Sequence, residues 1–490
     1  MESTITLTLP QYVLDIASVL TQHGFKAYLV GGALRDTLLN QKTQDYDLAT
    51  NALVSDLLQL FPNAKEVGAA FGTVVIPVWN DKKKKHVTVE VTTFRSEGEY
   101  KDFRHPSKVE FINDIYEDLK RRDFTINAMA ADLNPTAYQV LRRFPKTQKV
   151  TINTTLIDPF NGLKDLKNKL IKAVGNPLER FKEDPVRTLR ACRFKAQLEF
   201  TIHPKTLQAI PQVLDLMQFI SKERIQSELV KLLTQADKPS IGIECMRKTG
   251  LLRFVIPELL DCVGVKQPIG HAHDVYWHLL YTTDKAPKKL EVRLAALLHD
   301  IAKPHTAMPN GHFYGHDTLS AKMAEKILKR LKFSNQIIKK VVTLIKWHMF
   351  YYPNYIKEFK VKNPPSKWSD AAVRRFIQRV GAENLQDLFT LRIADATSNP
   401  KATNPYPEIN ALKKHIEKVM QEDLALKVTD LAINGNDLIK ELNLKPGPVI
   451  GDTLRYLLDK VIENPKLNNR QDLLKLAKEF LKSYKPQPNA

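Results

Sequence analysis

The segment "YLVGGALRDTLL" (28–39), followed by "DYDLAT" (45–50), carries the strongest fold signal in the sequence. The pattern predicts a strand, a turn at paired glycines, a helix and a second strand. Residues i and i+2 of a strand point to the same side, so Asp45 and Asp47 should project together, about 6–7 Å apart along the backbone. Two parallel carboxylates repel each other, and Mg²⁺, which prefers oxygen ligands, is their natural partner. The alternative for an isolated D-x-D pair is a solvated turn.

The residues around this pair indicate a phosphate site. Gly31 and Gly32 let the backbone approach a ligand closely, and the helix that follows offers free N–H groups to a phosphate. Arg35, one turn into that helix, can add charge-assisted hydrogen bonds. The alternative is an ordinary strand-to-helix turn.

Glu90 lies among valines in "VTVEVTTF", where a buried acid must be paired or metal-bound, so it could act as a third carboxylate and base. Its alternative is a solvent-facing position on the other side of the strand.

Composition limits the classes of protein. The chain has 490 residues, enough for several domains, and 74 Lys+Arg against 54 Asp+Glu give a net charge of +20. Such an excess of positive charge favours a polyanionic partner, nucleic acid first. Three cysteines without a C-x-x-C pair argue against a disulfide framework and against cysteine-bound zinc. No apolar run has membrane-spanning length and no signal-peptide pattern is present, so we expect a soluble cytoplasmic protein.

The order of strand and helix signals predicts an α/β head and a long helical body. The β-branched runs "GTVVIPVW" and "HVTVEVTTF" read as an antiparallel hairpin, and strand signals fade from about residue 155. Proline-rich linkers interrupt the helical part near 264–268, 362–366 and 399–407.

In the segment "EDLKRRDFTINAMA" (117–130), Arg121, Arg122 and Asp123 precede a largely apolar stretch that should pack into the core. Paired arginines beside an acid suit a triphosphate or a ribose, whereas alone they would indicate a surface ion-pair cluster. The segment "KEDPVRTLRACRF" (182–194) has Asp184 and Arg187 three residues apart, so they would share one face of a helix.

Four motifs in order, "LVGGALRD…DYDLAT", "EVTTFRSEGEYKDFRHP", "RRDFTINAMA" and "RFKEDPVRTLRACRF", resemble those of class II CCA-adding tRNA nucleotidyltransferases and the related poly(A) polymerases. The resemblance covers the first 200 or so residues and implies a polymerase-β-like α+β head, a mixed small sheet with helices, followed by an all-α body. The sequence departs from the family pattern at Asn40, where the family often has glycine. We expect this residue to lie in a loop that tolerates asparagine. The partners implied are tRNA, ATP and CTP.

The resemblance also assigns roles. Asp45 and Asp47 would hold catalytic Mg²⁺, with Glu90 as the preferred third carboxylate. The nucleotide would contact residues of three of these motifs: Gly31, Gly32, Arg35, Arg122, Asp123, Asp184, Arg187, Arg190 and Arg193. Residues 97–106 correspond to the flexible loop that helps the switch from C to A addition.

Base selection is expected from the E-D-x-x-R pattern. A carboxylate that accepts from the amino group of cytosine or adenine, and an arginine that donates to the ring acceptors, would reject uracil and guanine, by roughly 1–3 kcal/mol per contact pair. The competing interpretation makes Asp184 an N-cap before Pro185, with Arg187, Arg190 and Arg193 as a basic stripe.

A set of histidines predicts a second site. "RLAALLHDIAKPH" contains adjacent His299 and Asp300, and a preceding His278 and a distant Asp395 complete an imidazole and carboxylate set that suits a divalent transition metal. The set resembles the HD phosphohydrolase domain found in some members of the same family. That resemblance implies Mn²⁺, Ni²⁺ or Co²⁺, with His316 and His348 as further ligands or phosphate contacts.

The predicted domains are a catalytic head (1–150), a neck with base selection (151–262), an HD domain (263–400) and a helical tRNA-binding tail (401–490). The tail contains "KPGPVIG" (445–451) between two helices. The alternatives left open are a poly(A) polymerase, an enzyme that adds only CC or only A, an HD phosphohydrolase with an RNA-binding head, and a non-catalytic RNA-binding protein. The sequence does not predict the oligomeric state.

Overall fold

The computed structural model describes most of the chain, namely residues 2–41, 43, 45–67, 72–80, 85–97, 109–144, 148–267, 272–309, 311–351, 368–400, 404–421 and 427–484. The chain divides into two compact units, Met1–Val255 and Ile256–Ala490. Within the described ranges, no helix has both the length and the apolar character needed to cross a membrane. The predicted flexible loop, 97–106, falls almost entirely outside the described residues.

A mixed sheet forms the centre of the first unit, and its strand order is β1-β11-β9-β2-β3-β6-β5-β4, with β10 also paired to β11. The strands of this unit are β1 Glu2–Pro10, β2 Ala27–Val30, β3 Tyr46–Thr50, β4 Lys65–Glu66, β5 Thr73–Asn80, β6 Lys85–Thr93, β7 Arg95–Glu97, β8 Val109–Phe111, β9 Ala130–Asp132, β10 Tyr138–Phe144, β11 Lys149–Ile157, β12 Leu170–Ile171 and β13 Thr201–Ile202. The predicted hairpin is confirmed, because β5 and β6 pair as antiparallel neighbours.

The helices of the first unit cover the sheet and then continue alone. They are α1 Gln11–Gln22, α2 Gly31–Leu38, α3 Val54–Leu60, α4 Ile115–Lys120, α5 Gly162–Lys167, α6 Pro177–Glu183, α7 Val186–Leu198, α8 Pro204–Ala209, α9 Lys222–Gln235, α10 Pro239–Lys248 and α11 Leu252–Val255. After β11, only the two-residue strands β12 and β13 occur among the described residues. The predicted change from sheet to helix near residue 155 is therefore confirmed. Because β11 pairs with β1 along its whole length, the sheet continues past residue 150, where the head was expected to end.

Two residues at the ends of α2 adopt left-handed backbone conformations. Gly31 begins the helix with a φ of +65°, and Asn40 follows its end with a φ of +54°. Glycine adopts this conformation without steric cost, and asparagine is among the residues that tolerate it best. Asn40 therefore adopts a backbone conformation that glycine also favours.

The second unit is helical throughout its described residues. Its helices are α12 Val275–Lys285, α13 Leu290–Leu298, α14 Lys303–Thr306, α15 His316–Arg330, α16 Asn335–Trp347, α17 Asp370–Val380, α18 Leu385–Ser398, α19 Tyr406–Met420, α20 Gly435–Leu442, α21 Pro448–Glu463 and α22 Arg470–Ser483. The helix–turn–helix predicted around "KPGPVIG" is present, with the second helix beginning at Pro448. Leucines and valines of α20, α21 and α22 form a separate apolar core that includes Leu438, Leu457 and Leu473.

Candidate active site and metal centre

The register of two parallel strands brings the predicted carboxylates together. Strands β3 and β6 pair so that Asp47 lies opposite Glu90, and in such a pair both side chains point to the same face. Val89 and Val91 fill the other face and are fully buried, whereas Glu90 is exposed. The expectation that Glu90 is buried was therefore wrong, because strand alternation puts the valines in the core and leaves Glu90 on the site face. Asp45 is exposed and comes directly before β3.

The electrostatics of Asp47 match a site that needs a cation. Burial raises the pKa of Asp47 to about 6, together with the neighbouring charges of Glu90 and Asp45, while Arg122 and Arg35 oppose the shift. A carboxylate destabilised by its neighbours in this way is stabilised by a bound divalent ion. The donor set, carboxylate oxygens on one sheet face, is the kind that Mg²⁺ prefers.

Gly31 and Arg122 form the side of this site nearest to Asp47. A Cβ atom added to Gly31 would lie 3.1 Å from Nη1 of Arg122 and 3.5 Å from Oδ2 of Asp47. Nη2 of Arg122 donates to Asp118 at 3.1 Å. Its Nε is buried and has no hydrogen-bond partner within the described ranges, which fits an anionic group that the chain itself does not supply.

Arg35 lies close to the site, and most of its guanidinium already makes contacts with other side chains of the protein. It is 3% exposed, donates from Nε to Asp36 at 2.7 Å and from Nη1 to Asn127 at 2.8 Å. Its guanidinium also lies 4.9 Å from the ring centroid of Phe194 on α7. These contacts fix its position, so its charge acts on the site from a rigid location.

Asp123 is held from two directions. Its Oδ1 accepts from the backbone N–H of Phe124 at 2.8 Å and from Asn127 at 3.2 Å. Its Oδ2 lies 2.7 Å from Nε of Arg190, and although burial alone would raise the pKa of Asp123, Arg190 brings it below its usual range. The structure thus brings together two predicted nucleotide-binding residues from separate motifs.

Asp184 and Arg187 have different partners in the structure. Asp184 precedes α7, which begins at Val186, so the two residues do not share one face of a helix and Asp184 is not its N-cap. Oδ1 of Asp184 accepts from the N–H of Val186 at 3.2 Å, and Oδ2 lies 2.6 Å from Nη2 of Arg224. Arg187 donates from Nη1 to Glu183 at 2.6 Å and from Nη2 to the carbonyl of Arg121 at 3.1 Å.

Sequence reasoning missed Arg224 and Glu183 as partners of this motif. Glu183 is the first letter of the E-D-x-x-R pattern itself, so it could have been found. Arg224 lies 40 residues away on α9, and no local pattern points to it. The same helix provides Glu228, which lies 2.6 Å from Nε of Arg193, so Arg193 is part of a buried ion pair.

The predicted histidine set converges in the second unit. His278, His299, Asp300, His316 and His348 are all buried, and Asp395 lies with them. His278, His299 and Asp300 form one group of metal-ligand geometry, and Asp300, His316 and His348 form a second group that shares Asp300.

Each imidazole is oriented by its other ring nitrogen. Nδ1 of His299, His316 and His348 lies 2.9, 2.6 and 2.6 Å from the carbonyl oxygens of Ala296, Phe313 and Ile345, and Nδ1 of His278 lies 3.2 Å from the hydroxyl of Ser398. These contacts point Nε2 towards the carboxylates, as histidine ligands of metals are usually held.

The polar atoms at the centre of this cluster fit a cation. Nε2 of His278 lies 3.1 Å from Oδ1 of Asp395 and 3.5 Å from Oδ2 of Asp300. Nε2 of His316 and Oδ1 of Asp300 lie 3.2 Å apart, yet both are buried and make no hydrogen bond within the described ranges. Buried atoms of this kind are explained by an ion that the chain does not itself provide.

Two basic residues that the sequence reasoning missed adjoin the cluster. Nζ of Lys303 lies 2.5 Å from Oδ2 of Asp300, and Arg392 pairs with Asp395. Burial alone would raise the pKa of Asp300, but His299 and Lys303 bring it well below its usual range. Lys303 follows Asp300 by three residues, which is the one signal that could have predicted it.

Comparison with known proteins places the chain in a family. Family models match residues 27–172 (poly A polymerase head domain), 199–262 (probable RNA and SrmB-binding site of polymerase A) and 316–477 (tRNA nucleotidyltransferase domain 2). The chain is 32% identical to the CCA-adding enzyme of Limosilactobacillus fermentum, and the alignment covers 96% of each of the two chains. It is 31% identical to that of Enterococcus faecalis, over 96% of this chain and 97% of the relative.

Solved structures agree with this relationship. The Bacillus stearothermophilus CCA-adding enzyme in complex with CTP matches with a TM-score of 0.67 and 26% identity, over 96% of this chain and 98% of that chain. A CCA-adding enzyme with ATP shares the fold at a TM-score of 0.54 and 19% identity, over 97% and 99% of the two chains. The predicted α+β head and helical body are thereby confirmed, and the chain belongs to the CCA-adding enzyme family, with a head of the poly(A) polymerase type.

Proposed function

We propose that this chain adds C, C and A to the 3′ end of tRNA, from CTP and ATP and without a nucleic-acid template. The observation that carries the proposal is the pairing of Asp47 with Glu90 across β3 and β6, beside Gly31 and Arg122. A tRNA substrate agrees with the net charge of +20 and with the cytoplasmic location expected from the sequence.

Transfer in this family depends on a divalent metal, and we assign Asp45 and Asp47 as the residues that would hold Mg²⁺. Bound there, Mg²⁺ would lower the pKa of the attacking 3′ hydroxyl and stabilise charge on the departing pyrophosphate. Glu90, on the same face, would accept the proton of that hydroxyl. This assignment gives the three carboxylates two kinds of contribution, metal binding by Asp45 and Asp47 and proton acceptance by Glu90.

The triphosphate would lie against the start of α2. Gly31 and Gly32 leave room for the phosphates, and the backbone N–H groups of the helix start would donate to them. Arg122, whose Nε has no hydrogen-bond partner among the described residues, would bind a phosphate directly, whereas Arg35 would contribute positive charge from its fixed position. Asp123 and Arg190 would contact the sugar and phosphates as a preformed pair.

Base selection is assigned to Asp184 and Arg187. The carboxylate of Asp184 retains acceptor capacity beside Arg224, because Oδ2 bonds Arg224 and, within the described residues, Oδ1 accepts from the backbone N–H of Val186 at 3.2 Å. It would accept the amino group of cytosine or adenine, and Arg187 would donate to the adjacent ring acceptor. Uracil and guanine present a carbonyl and an N–H at these positions and would be rejected.

The test is incubation with tRNA that lacks its 3′ terminal CCA, Mg²⁺, and labelled CTP and ATP, separately and together. We expect addition of C with CTP alone, and addition that stops after three nucleotides with both. The Asp47→Asn variant should add neither nucleotide. Long A tails, or addition of A without C, would overturn the proposal in favour of a poly(A) polymerase or a partial enzyme.

We also propose a second activity, hydrolysis of phosphoesters at the histidine cluster. The specific observation is that four imidazoles point Nε2 at the buried carboxylate of Asp300 or at the partly buried carboxylate of Asp395, with Nδ1 of each engaged elsewhere. His278, His299, Asp300 and Asp395 would hold a Mn²⁺, Ni²⁺ or Co²⁺ ion, with His316 and His348 as further ligands. A metal in such a site supplies an activated water, and Lys303 would attract the phosphate.

Substrates to test for the second activity are 2′,3′-cyclic phosphates, 2′-phosphates and nucleotides. The measurement is release of product with each of the three metals, for the wild type and for Asp395→Asn. His415→Ala is the control, because His415 pairs with Asp370 in the same unit and outside the cluster. Loss of hydrolysis in Asp395→Asn with unchanged nucleotide addition would support the proposal. Absence of bound metal and of hydrolysis in the wild type would overturn it.

A further inference from the structure

A single buried carboxylate, Asp118, lies between the residues that would bind the triphosphate and those that would select the base. It belongs to α4 and is 1% exposed. Its Oδ1 accepts from Nε and Nη2 of Arg121 at 3.0 and 2.8 Å, and its Oδ2 accepts from Nη2 of Arg122 at 3.1 Å. Although burial alone would raise the pKa of Asp118, Arg121 and Arg122 bring it below its usual range, so the carboxylate is ionised.

One side of this contact reaches the metal and triphosphate site. Arg122 is held by Asp118 through Nη2, which leaves Nη1 beside Gly31 and Asp47 and leaves Nε without a partner in the described part of the chain. A long arginine side chain has several rotamers, and fixing it in one of them beforehand reduces the entropy lost when a ligand binds. Asp118 therefore sets the direction in which Arg122 faces an incoming phosphate.

The other side reaches the base-selecting helix. Arg121 is held by Asp118, and the backbone carbonyl of Arg121 accepts from Nη2 of Arg187 at 3.1 Å. Nη1 of Arg187 is held by Glu183 and by the carbonyl of Arg180. The orientation of Arg187 thus depends on the position of the Arg121 backbone.

We propose that Asp118 is a positioning residue that orients Arg122 for the triphosphate and, through the Arg121 backbone, Arg187 for the base. Nucleotide affinity and base discrimination then depend on one buried charge. The inference rests on the proposed function and deepens it, because it names a residue that couples two parts of the nucleotide site without touching the nucleotide.

The decisive variant is Asp118→Asn, which keeps the size of the side chain. An amide has one oxygen and one NH₂ group, so it can accept from only one of the two arginines and opposes the other. We expect the Kd for CTP, measured by equilibrium titration with Mg²⁺ and without tRNA, to rise by about tenfold or more, as for loss of a hydrogen bond to a charged group. We also expect the preference for CTP over UTP to fall, and Asp118→Glu to restore part of both.

Glu244→Gln provides a matched control. Glu244 holds Arg247 at i+3 and Lys248 at i+4 on α10, the same spacing at which Asp118 holds Arg121 and Arg122. Removing its charge should change stability without changing CTP affinity or discrimination. Thermal melting of all variants, with binding expressed per folded molecule, separates a loss of folding from a loss of positioning.

A second variant keeps the inference testable if Asp118→Asn does not fold. Arg121→Gln leaves the Arg122–Asp118 contact in place, and the Arg121 side chain is 18% exposed, so the cost in stability should be smaller. We expect it to reduce discrimination against UTP more than it reduces CTP affinity. An Arg121→Gln variant that matches the wild type in discrimination would contradict the route through the Arg121 backbone.

The outcomes separate this inference from the proposed function. A wild type that binds CTP but does not extend tRNA would overturn the proposed function, and the binding comparison would still test Asp118. A wild type that adds C and A, together with an Asp118→Asn variant that matches it in affinity and discrimination, would overturn the inference alone.

Discussion

At the scale of single residues, Gly31 is constrained both by its backbone conformation and by its neighbours in the site. Its φ of +65° favours glycine, and an added Cβ would lie 3.1 Å from Nη1 of Arg122. We predict that Gly31→Ala loses about 1–2 kcal/mol of unfolding free energy from backbone strain. It should also weaken CTP binding, because the new methyl group displaces Arg122. Denaturant unfolding and nucleotide titration measure the two effects.

The Gly24→Ala variant separates the effect of backbone strain from the effect of displacing Arg122. Gly24 has a φ of +82°, and an added Cβ would have no atom within 4 Å. The substitution should cost similar stability and leave nucleotide binding unchanged. Equal loss of CTP affinity in both variants would show that strain, and not the contact with Arg122, explains the effect.

Signals that are local in the sequence allow single residues to be proposed for the site, and the roles of these residues stay predictions. Paired glycines before a helix and two acids in a strand are readable from spacing, and the structure brings Gly31, Asp47 and Arg122 together. Arg224 could not be predicted in this way, because its contact with Asp184 arises from the packing of α9 against α7, 40 residues apart in sequence. Such partners are set by tertiary contacts that leave no periodic pattern.

At the scale of elements, the register of β3 and β6 decides which carboxylates can cooperate. A shift of one residue would turn Glu90 into the core and move Val89 and Val91 out onto the site face, so the alternating valines fix the register. The hairpin itself was predictable from β-branched runs. The parallel pairing of β3 with β6 was not, because it joins strands that are 40 or so residues apart with no signal for their order.

This register leads to a prediction about Glu90. We expect Glu90→Gln to lower the rate of nucleotide addition by roughly 10²-fold or more, the usual contribution of a general base, while nucleotide binding changes little. Single-turnover addition of C to tRNA measures the rate. Glu66→Gln is the control, because Glu66 is an exposed acid on β4 at the edge of the same sheet. Full activity of Glu90→Gln beside inactive Asp45→Asn and Asp47→Asn would leave the metal chemistry to these two acids alone.

At the scale of the whole molecule, the two units bury charge in different ways. In the first unit, arginines of α7 neutralise buried acids, as in the pairs Arg193–Glu228 and Arg190–Asp123. In the second unit, the buried Asp300 and the partly buried Asp395 face four imidazoles, and Oδ1 of Asp300 has no hydrogen-bond partner among the described residues. The ligand types were predictable from the sequence, but their convergence depends on how α12, α13, α15, α16 and α18 pack.

A bound metal should therefore stabilise the second unit selectively. We predict that Mn²⁺, Ni²⁺ or Co²⁺ at about 100 times its Kd raises the unfolding free energy of this unit by about 2.7 kcal/mol, and that a chelator reverses the effect. The gain should shrink as the pH falls, because the imidazole ligands must be deprotonated to bind. Three of the four tryptophans (Trp277, Trp347 and Trp368) lie in this unit, so tryptophan fluorescence during thermal unfolding reports mainly on it. His316→Ala should reduce the metal-dependent shift and His415→Ala should retain it, whereas the same shift in both variants would mean that the ion binds elsewhere.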